Sequence, residues 1–180
     1  MTKPFRDEAE IYQFILVAKS TILSLSSVVE NQLEVILSSH FSVSQDDFDL
    51  FGKMFFPKTD GLPFGNKIGI FEKLLNEEEP TYLQTNPDFL KSIRRIKDLR
   101  NNFAHAMDQE KKRLKKYVGK KHFDLDYLEE GKMLSKQFTI DDIKERYDEA
   151  RNITKELQQF NIRDEARKEA KIAKIKSKKP

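Results

Sequence analysis

Between Asp7 and His40 the apolar residues Ile11, Ile15, Ala18, Ile22, Leu25, Val29, Leu33 and Ile36 recur at steps of three and four. That period is the mark of a helix, and a helix this long constrains the fold more than any other feature of the chain. A second set, Phe14, Val17, Val28 and Leu37, widens the stripe, and Ser20, Thr21, Ser24, Ser26 and Ser27 fill the gaps. A helix apolar over so much of its girth packs on more than one side. Two readings stand: core on one face with a partner subunit on the other, or one wide core contact.

The remaining segments supply shorter elements of the same kind. Phe41 to Gly61 reads as a connector with a helical turn around Asp46–Phe51, its loops marked by Pro57 and Gly61. Leu62 to Asn76 reads as a modest helix, and Glu77 to Asn86, with Pro80, as a loop. Asn86 as N-cap, Pro87 at the first helical position and Asp88 in the first turn open the next helix. Its core stripe is Phe89, Ile93, Ile96, Leu99, Phe103 and Met107. Phe123 to Phe138 alternates apolar and acidic residues around Gly131, the pattern of a small β-hairpin. Thr139 to Asp142 resembles a capping box opening a last helix from Ile140 to about Phe160. The expectation is an all-α bundle of about four to five helices, with a β-hairpin after the fourth segment. It occupies residues 1–160 as one domain, and 161–180 form a basic tail, helical or disordered.

Composition narrows the chemistry. The chain has no cysteine, which excludes disulfides, thiolate catalysis and cysteine-ligated zinc or iron–sulfur centres. Asp46, Asp47 and Asp49, and Asp124 with Asp126, lack a metal-ligand framework and read as capping or strand-edge carboxylates. No Gly-rich phosphate loop follows a strand, and no Ser/His/Asp order is recognisable. No cofactor is expected. The start of the chain is polar, without the plan of a signal peptide, and Lys19 closes the most apolar run, Phe14–Ala18. These features predict a soluble, cytoplasmic protein without a membrane span. Charge is segregated: Lys91 to Lys121 holds 12 Lys or Arg against 3 Asp or Glu, although the whole chain is only +3. A concentrated basic region is the footprint of a polyanion binder.

The centre of that region is Arg100-Asn101-Asn102-Phe103-Ala104-His105. At about 100° per residue, with Arg100 at the edge of the apolar stripe, Asn101 lies about 100° away and His105 about 140°. The three share one arc flanking the core. A guanidinium grips a phosphate bidentately, and an imidazole moves protons near neutral pH. His40, closing the first helix, and His122, in a basic loop, have no such company.

This run resembles the signature of the HEPN superfamily: an Arg, four to six residues, then His, commonly with Asn, Asp or His directly after the Arg. The spacing here is four, and Asn101 fills the polar slot. Phe64-Gly65-Asn66-Lys67-Ile68 through Leu74-Leu75 to Ile96-Lys97-Asp98-Leu99-Arg100 resembles the branch that contains the mannitol operon repressor. A long first helix bearing Glu30, Asn31 and Glu34 agrees, and the likeness spans roughly residues 8 to 108.

The resemblance implies an antiparallel bundle that forms a homodimer, with the two Arg/His arcs making one composite site that cuts RNA without metal. The ribose 2′-hydroxyl attacks the adjacent phosphate, leaving a 2′,3′-cyclic phosphate and a 5′-hydroxyl. His105 would act as base or acid, Arg100 would clamp the phosphate, and Asn101 would orient phosphate or imidazole. Glu30 or Glu34 would support these groups from the first helix. Arg94, Arg95, Lys97, Lys111, Lys112 and Arg113 would hold the nucleic acid. The biological roles implied are a toxin, with an antitoxin or regulatory protein as partner, or a phage-defence effector. The other role the fold allows is a non-catalytic regulator that binds nucleic acid or a partner protein.

Overall fold

The computed structural model of the chain describes residues 3–42, 44–57, 61–106, 111–129 and 131–177. It is an all-α protein with one small antiparallel hairpin. The helices are α1 (Glu8–Phe41), α2 (Gln45–Phe55), α3 (Phe64–Glu78), α4 (Pro80–Thr85), α5 (Phe89–Ala104), α6 (Lys111–Leu114) and α7 (Ile140–Ser177). A 3₁₀ turn, Lys115–Tyr117, leads to strands β1 (His122–Glu129) and β2 (Lys132–Thr139), which precede α7. The chain forms two compact units. The first takes residues 1–27 and 95–151, and the second residues 28–94 and 152–180, so α1, α5 and α7 each contribute to both.

In the first unit the core is Phe5, Ile11, Ala18, Ile22, Leu99, Phe103, Leu114, Tyr117, Phe123, Leu125, Phe138 and Ile143. The hairpin enters this core because its alternation puts Phe123 and Leu125 on one face, with Phe138 directly opposite Phe123. Phe138 also packs on Phe103 of α5, ring centroids 5.2 Å apart. Gly131 sits at φ +75° in the connection between the strands, a conformation that a side chain resists and a tight hairpin requires. At the other end of β2 the expected capping box is present with Asp in the acidic slot. The Thr139 N–H and hydroxyl both donate to Asp142 Oδ2 at 2.7 Å, and the Asp142 N–H donates back to Thr139 Oγ1 at 3.0 Å. These bonds, the Thr139 hydroxyl first, hold the Asp142 carboxyl below its ordinary pKa.

The second unit buries Val29, Leu33, Ile36 and Leu37 of α1, Phe64, Ile68, Phe71 and Leu75 of α3, and Ile153, Leu157 and Phe160 of α7. Phe71, Tyr82, Phe89 and Phe160 meet edge to face or tilted, with centroids 4.6–6.4 Å apart. By length and composition alone α1 could cross a membrane. Of its apolar residues, Ile11, Ala18 and Ile22 are buried in the first unit and Val29, Leu33, Ile36 and Leu37 in the second, whereas Tyr12, Leu16, Val17, Val28 and Val35 are exposed.

Several boundaries differ from the sequence expectation. The connector after α1 contains an eleven-residue helix, α2, capped by Ser44, whose hydroxyl accepts from the Asp47 N–H at 3.2 Å. The stretch Glu77–Asn86 contains α4, because Pro80 stands at its first turn, where its missing N–H costs nothing. Asn86 does not cap α5; its amide donates back to Tyr82 O at 3.1 Å, closing α4, and α5 begins only at Phe89. For the tail, which the sequence leaves helical or disordered, the structure has helix: α7 continues past Phe160 to Ser177. Residues 163–168 are fastened within the second unit. Arg163 and Arg167 both grip Glu79, and Lys168 Nζ donates to Ser42 O at 3.1 Å.

Candidate functional site

The motif occupies the last turn of α5. Phe89, Ile93, Ile96, Leu99 and Phe103 are all buried, as the stripe requires; Met107 lies outside the described residues. The helix stops at Ala104 rather than continuing to Met107, so His105 is a turn residue. The His105 N–H still closes the final helical bond to Asn101 O at 3.0 Å, which keeps Asn101 and His105 one turn apart on the same side. Ala106 then pairs as an antiparallel bridge with Tyr127, bringing the chain alongside β1. Phe103, fully buried, anchors the segment, and His105 is exposed.

What separates Arg100 from the other cations of α5 is its partner. Lys91 pairs with Asp88 at 3.0 Å, Arg94 with Glu72 at 2.6 Å, Arg95 with Glu149 at 3.1 Å and Lys97 with Asp98 at 2.8 Å. Arg100 is half-buried and donates from Nη1 to Asn101 Oδ1 at 3.2 Å, and among the described residues it has no carboxylate partner. A neutral amide steadies the guanidinium without cancelling its charge. Among the described residues no carboxylate occupies the fork, the geometry by which a guanidinium grips an anion.

The other expected site residues whose side chains are described have partners of their own. Glu30 and Glu34, one turn apart on α1, both accept from Lys67 Nζ, at 2.6 and 2.5 Å. Lys67 is only 4% exposed, and its ammonium also lies 5.5 Å from the Phe56 ring centre. Both carboxylates thus neutralise a buried lysine of the second unit. The signal available in the sequence is a lysine on the same helical face as Phe64, Ile68 and Phe71, and two glutamates at helical spacing on the first helix. Arg94, Arg95 and Lys97, expected to hold nucleic acid, each pair with a carboxylate, and Arg113 reaches Asp126 at 3.4 Å. The side chains of Lys111 and Lys112 lie outside the described residues. His40 is paired with Asp164 at 3.3 Å, and the His122 ring packs edge-on to Tyr117.

A second polar cluster belongs to the first unit. Tyr117, 1% exposed, donates its hydroxyl to Asp124 Oδ2 at 2.8 Å, and Lys116 reaches the same carboxylate at 3.3 Å. Burial raises the Tyr117 pKa above its ordinary value. Burial works against ionisation of Asp124 too, but the hydrogen bonds from Tyr117 and Lys116 outweigh it and leave that carboxyl below its ordinary pKa. In the second unit an open groove of about 510 Å³ lies between α1 and α2, lined by Glu34, Phe48, Lys53 and Phe56, with no arginine or histidine. Among the described residues no group of three or more His, Asp or Glu is placed to hold a metal. The chain matches no protein-family model, no curated protein and no solved structure.

Proposed function

We propose that the protein is a metal-independent endoribonuclease of HEPN type, acting as a homodimer through Arg100, Asn101 and His105. The observation that carries this reading is the exceptional state of Arg100: every other cation of α5 is spent on a carboxylate, and this one is held by an amide. Half-burial strengthens the pull of a guanidinium on a phosphate relative to open water. His105 is exposed and lies one helical turn beyond Asn101, and imidazole is the side chain suited to proton transfer near neutral pH.

The chemistry follows from those two groups. His105 accepts the proton of a ribose 2′-hydroxyl while the 2′-oxygen bonds to the adjacent phosphorus. The bond from phosphorus to the 5′-oxygen breaks, and the His105 of a second copy donates a proton to that leaving oxygen. Arg100 offsets the charge that builds on the phosphoryl oxygens. The products are a 2′,3′-cyclic phosphate and a 5′-hydroxyl. A second copy is supported by the exposed apolar residues Tyr12, Leu16 and Val17 on α1 in the same unit, which a monomer leaves in water.

The test is cleavage of end-labelled RNA by purified protein in excess EDTA, with wild type against His105→Ala. Cyclic-phosphate ends from the wild type alone support the reading. Equal cleavage by both proteins, or none by either, refutes it. One observation favours a regulatory role: among the described residues the His105 imidazole has no hydrogen-bond partner to orient it, as a catalytic base ordinarily has. A non-catalytic binder would show salt-sensitive RNA association unchanged in His105→Ala, and no cyclic phosphate.

A further inference from the structure

The segment Lys115-Lys116-Tyr117-Val118-Gly119-Lys120-Lys121 places four lysines in seven residues with no acidic residue among them. Like charges this close repel one another, so a flexible loop would spread them. The fold prevents that. Gly119, at φ +79°, donates its N–H to Phe5 O at 2.8 Å, and the Phe5 N–H returns a bond to Lys120 O at 2.9 Å. The Lys120 N–H closes the turn on Tyr117 O at 2.9 Å. Tyr117 is the hub: its ring is buried in the core, with the ammonium of Lys116 4.6 Å and that of Lys120 5.9 Å from its centre. Asp124 answers Lys116 and the Tyr117 hydroxyl. Lys115, Lys120 and Lys121 are exposed and have no carboxylate partner among the described residues. The contrast with the four neutralised cations of α5 is direct.

The turn also has a defined place relative to the motif. Ala106, one residue past His105, bridges to Tyr127 of β1, and the turn feeds the start of that strand. From Tyr127 back to Lys121 is six residues of extended chain, about 20 Å at ~3.3 Å per residue. At ~3.4 Å per stacked nucleotide of one strand, that span is roughly six phosphates.

We propose that this turn is a second contact for the RNA, a phosphate-backbone site that gives the protein a minimum substrate length of roughly six nucleotides between the cleaved linkage and the far contact. The proposal rests on the ribonuclease reading for where the near end of the strand lies. Ammonium groups on flexible stems contact phosphates as point charges and carry no base code, so the length preference is independent of sequence.

The experiment uses the full-length protein and fluorescent 2′-O-methyl oligouridylates, which lack the attacking hydroxyl, in lengths below and above that span. Affinity is measured against salt for wild type, Arg100→Ala and the double variant Lys115→Gln/Lys121→Gln. Wild type is expected to bind the long oligomer more tightly and with a steeper salt slope. The double variant is expected to lose about 1.4 of that slope, ~0.7 for each single-strand phosphate released, together with the length preference. Both lysines are exposed, and an unchanged melting temperature verifies the fold. Should the double variant be unstable, each single variant is expected to lose about half as much slope. An unaltered slope and length preference in the double variant overturns the proposal, as does equal weakening of short and long oligomers, or no binding to either. Cleavage in EDTA is scored separately. A protein that cleaves RNA but ignores the lysine substitutions loses only the turn. One that never cleaves but shows the length and slope effects loses only the catalytic reading.

Discussion

Lys67→Met tests how the second unit tolerates its buried charge. The ammonium is held by Glu30 and Glu34 at 2.6 and 2.5 Å, with the Lys67 side chain 5% exposed and the glutamates 19% and 28%. Methionine keeps most of the volume and the contact with Phe56, so the loss is chiefly electrostatic. It leaves two carboxylates one helical turn apart, facing each other without a cation. Removing one partner of a buried pair costs roughly 3–5 kcal/mol, and the partial exposure of both glutamates puts this case near the lower end, about 3 kcal/mol. In a chain of this size that corresponds to a melting temperature lower by about 6–12 °C. Urea denaturation followed by far-ultraviolet circular dichroism measures the change directly. The informative arm is Lys67→Met/Glu30→Gln/Glu34→Gln, which removes the stranded charges and is expected to recover at least half of the loss. A loss under about 1 kcal/mol would show that the triad behaves as a surface pair. A triple variant no better than the single one would show that the cost came from packing, and either result defeats the electrostatic account.

Three further expectations follow from local geometry. Arg100→Ala should lower kcat on RNA by about 10²–10³-fold, and Arg100→Lys nearly as much, because one ammonium cannot reproduce the fork; single-turnover cleavage assays of the two variants side by side check this. Thr139→Ala should destabilise the protein by about 1 kcal/mol through loss of the α7 cap, seen as a lower urea midpoint. Asp142 carries the pH dependence of the same cap: its folded pKa lies below the ordinary 3.8, so its contribution is complete above the unfolded value and fades as pH falls through the folded one. The deficit of Asp142→Asn relative to wild type should therefore be constant near neutrality and shrink below about pH 4; a deficit unchanged down to pH 2 would contradict the assignment.

The features legible in the sequence were those written in local periodicity and capping chemistry. The stripe of α5 appears in the structure as buried Phe89, Ile93, Ile96, Leu99 and Phe103, because helical spacing is a property of consecutive residues. The hairpin and the Thr139–Asp142 box were equally local, since alternation and a side chain three residues away suffice to specify them. Asn86 lies between two helix ends, and only the placement of Tyr82 decides that it closes α4 rather than capping α5. The apolar period of α7 fades at Phe160, so the sequence leaves the tail open between helix and disorder, and in the structure it is helical to Ser177. Its continuation is supported by ion pairs from Arg163 and Arg167 to Glu79, a residue more than eighty positions away. The same limit governs the charges. Sequence identifies a basic region and an Arg-x4-His run, but nothing in it says which cations are already paired. Arg94 and Arg95 are paired with Glu72 and Glu149, and Glu30 and Glu34 with Lys67. Pairing depends on distances of a few ångströms between residues far apart in the chain, and only the folded structure sets those distances. The sequence therefore determined what chemistry the chain owns, and the tertiary structure decided which of those groups are paired, leaving Arg100, among the described residues, as the cation of α5 without a carboxylate.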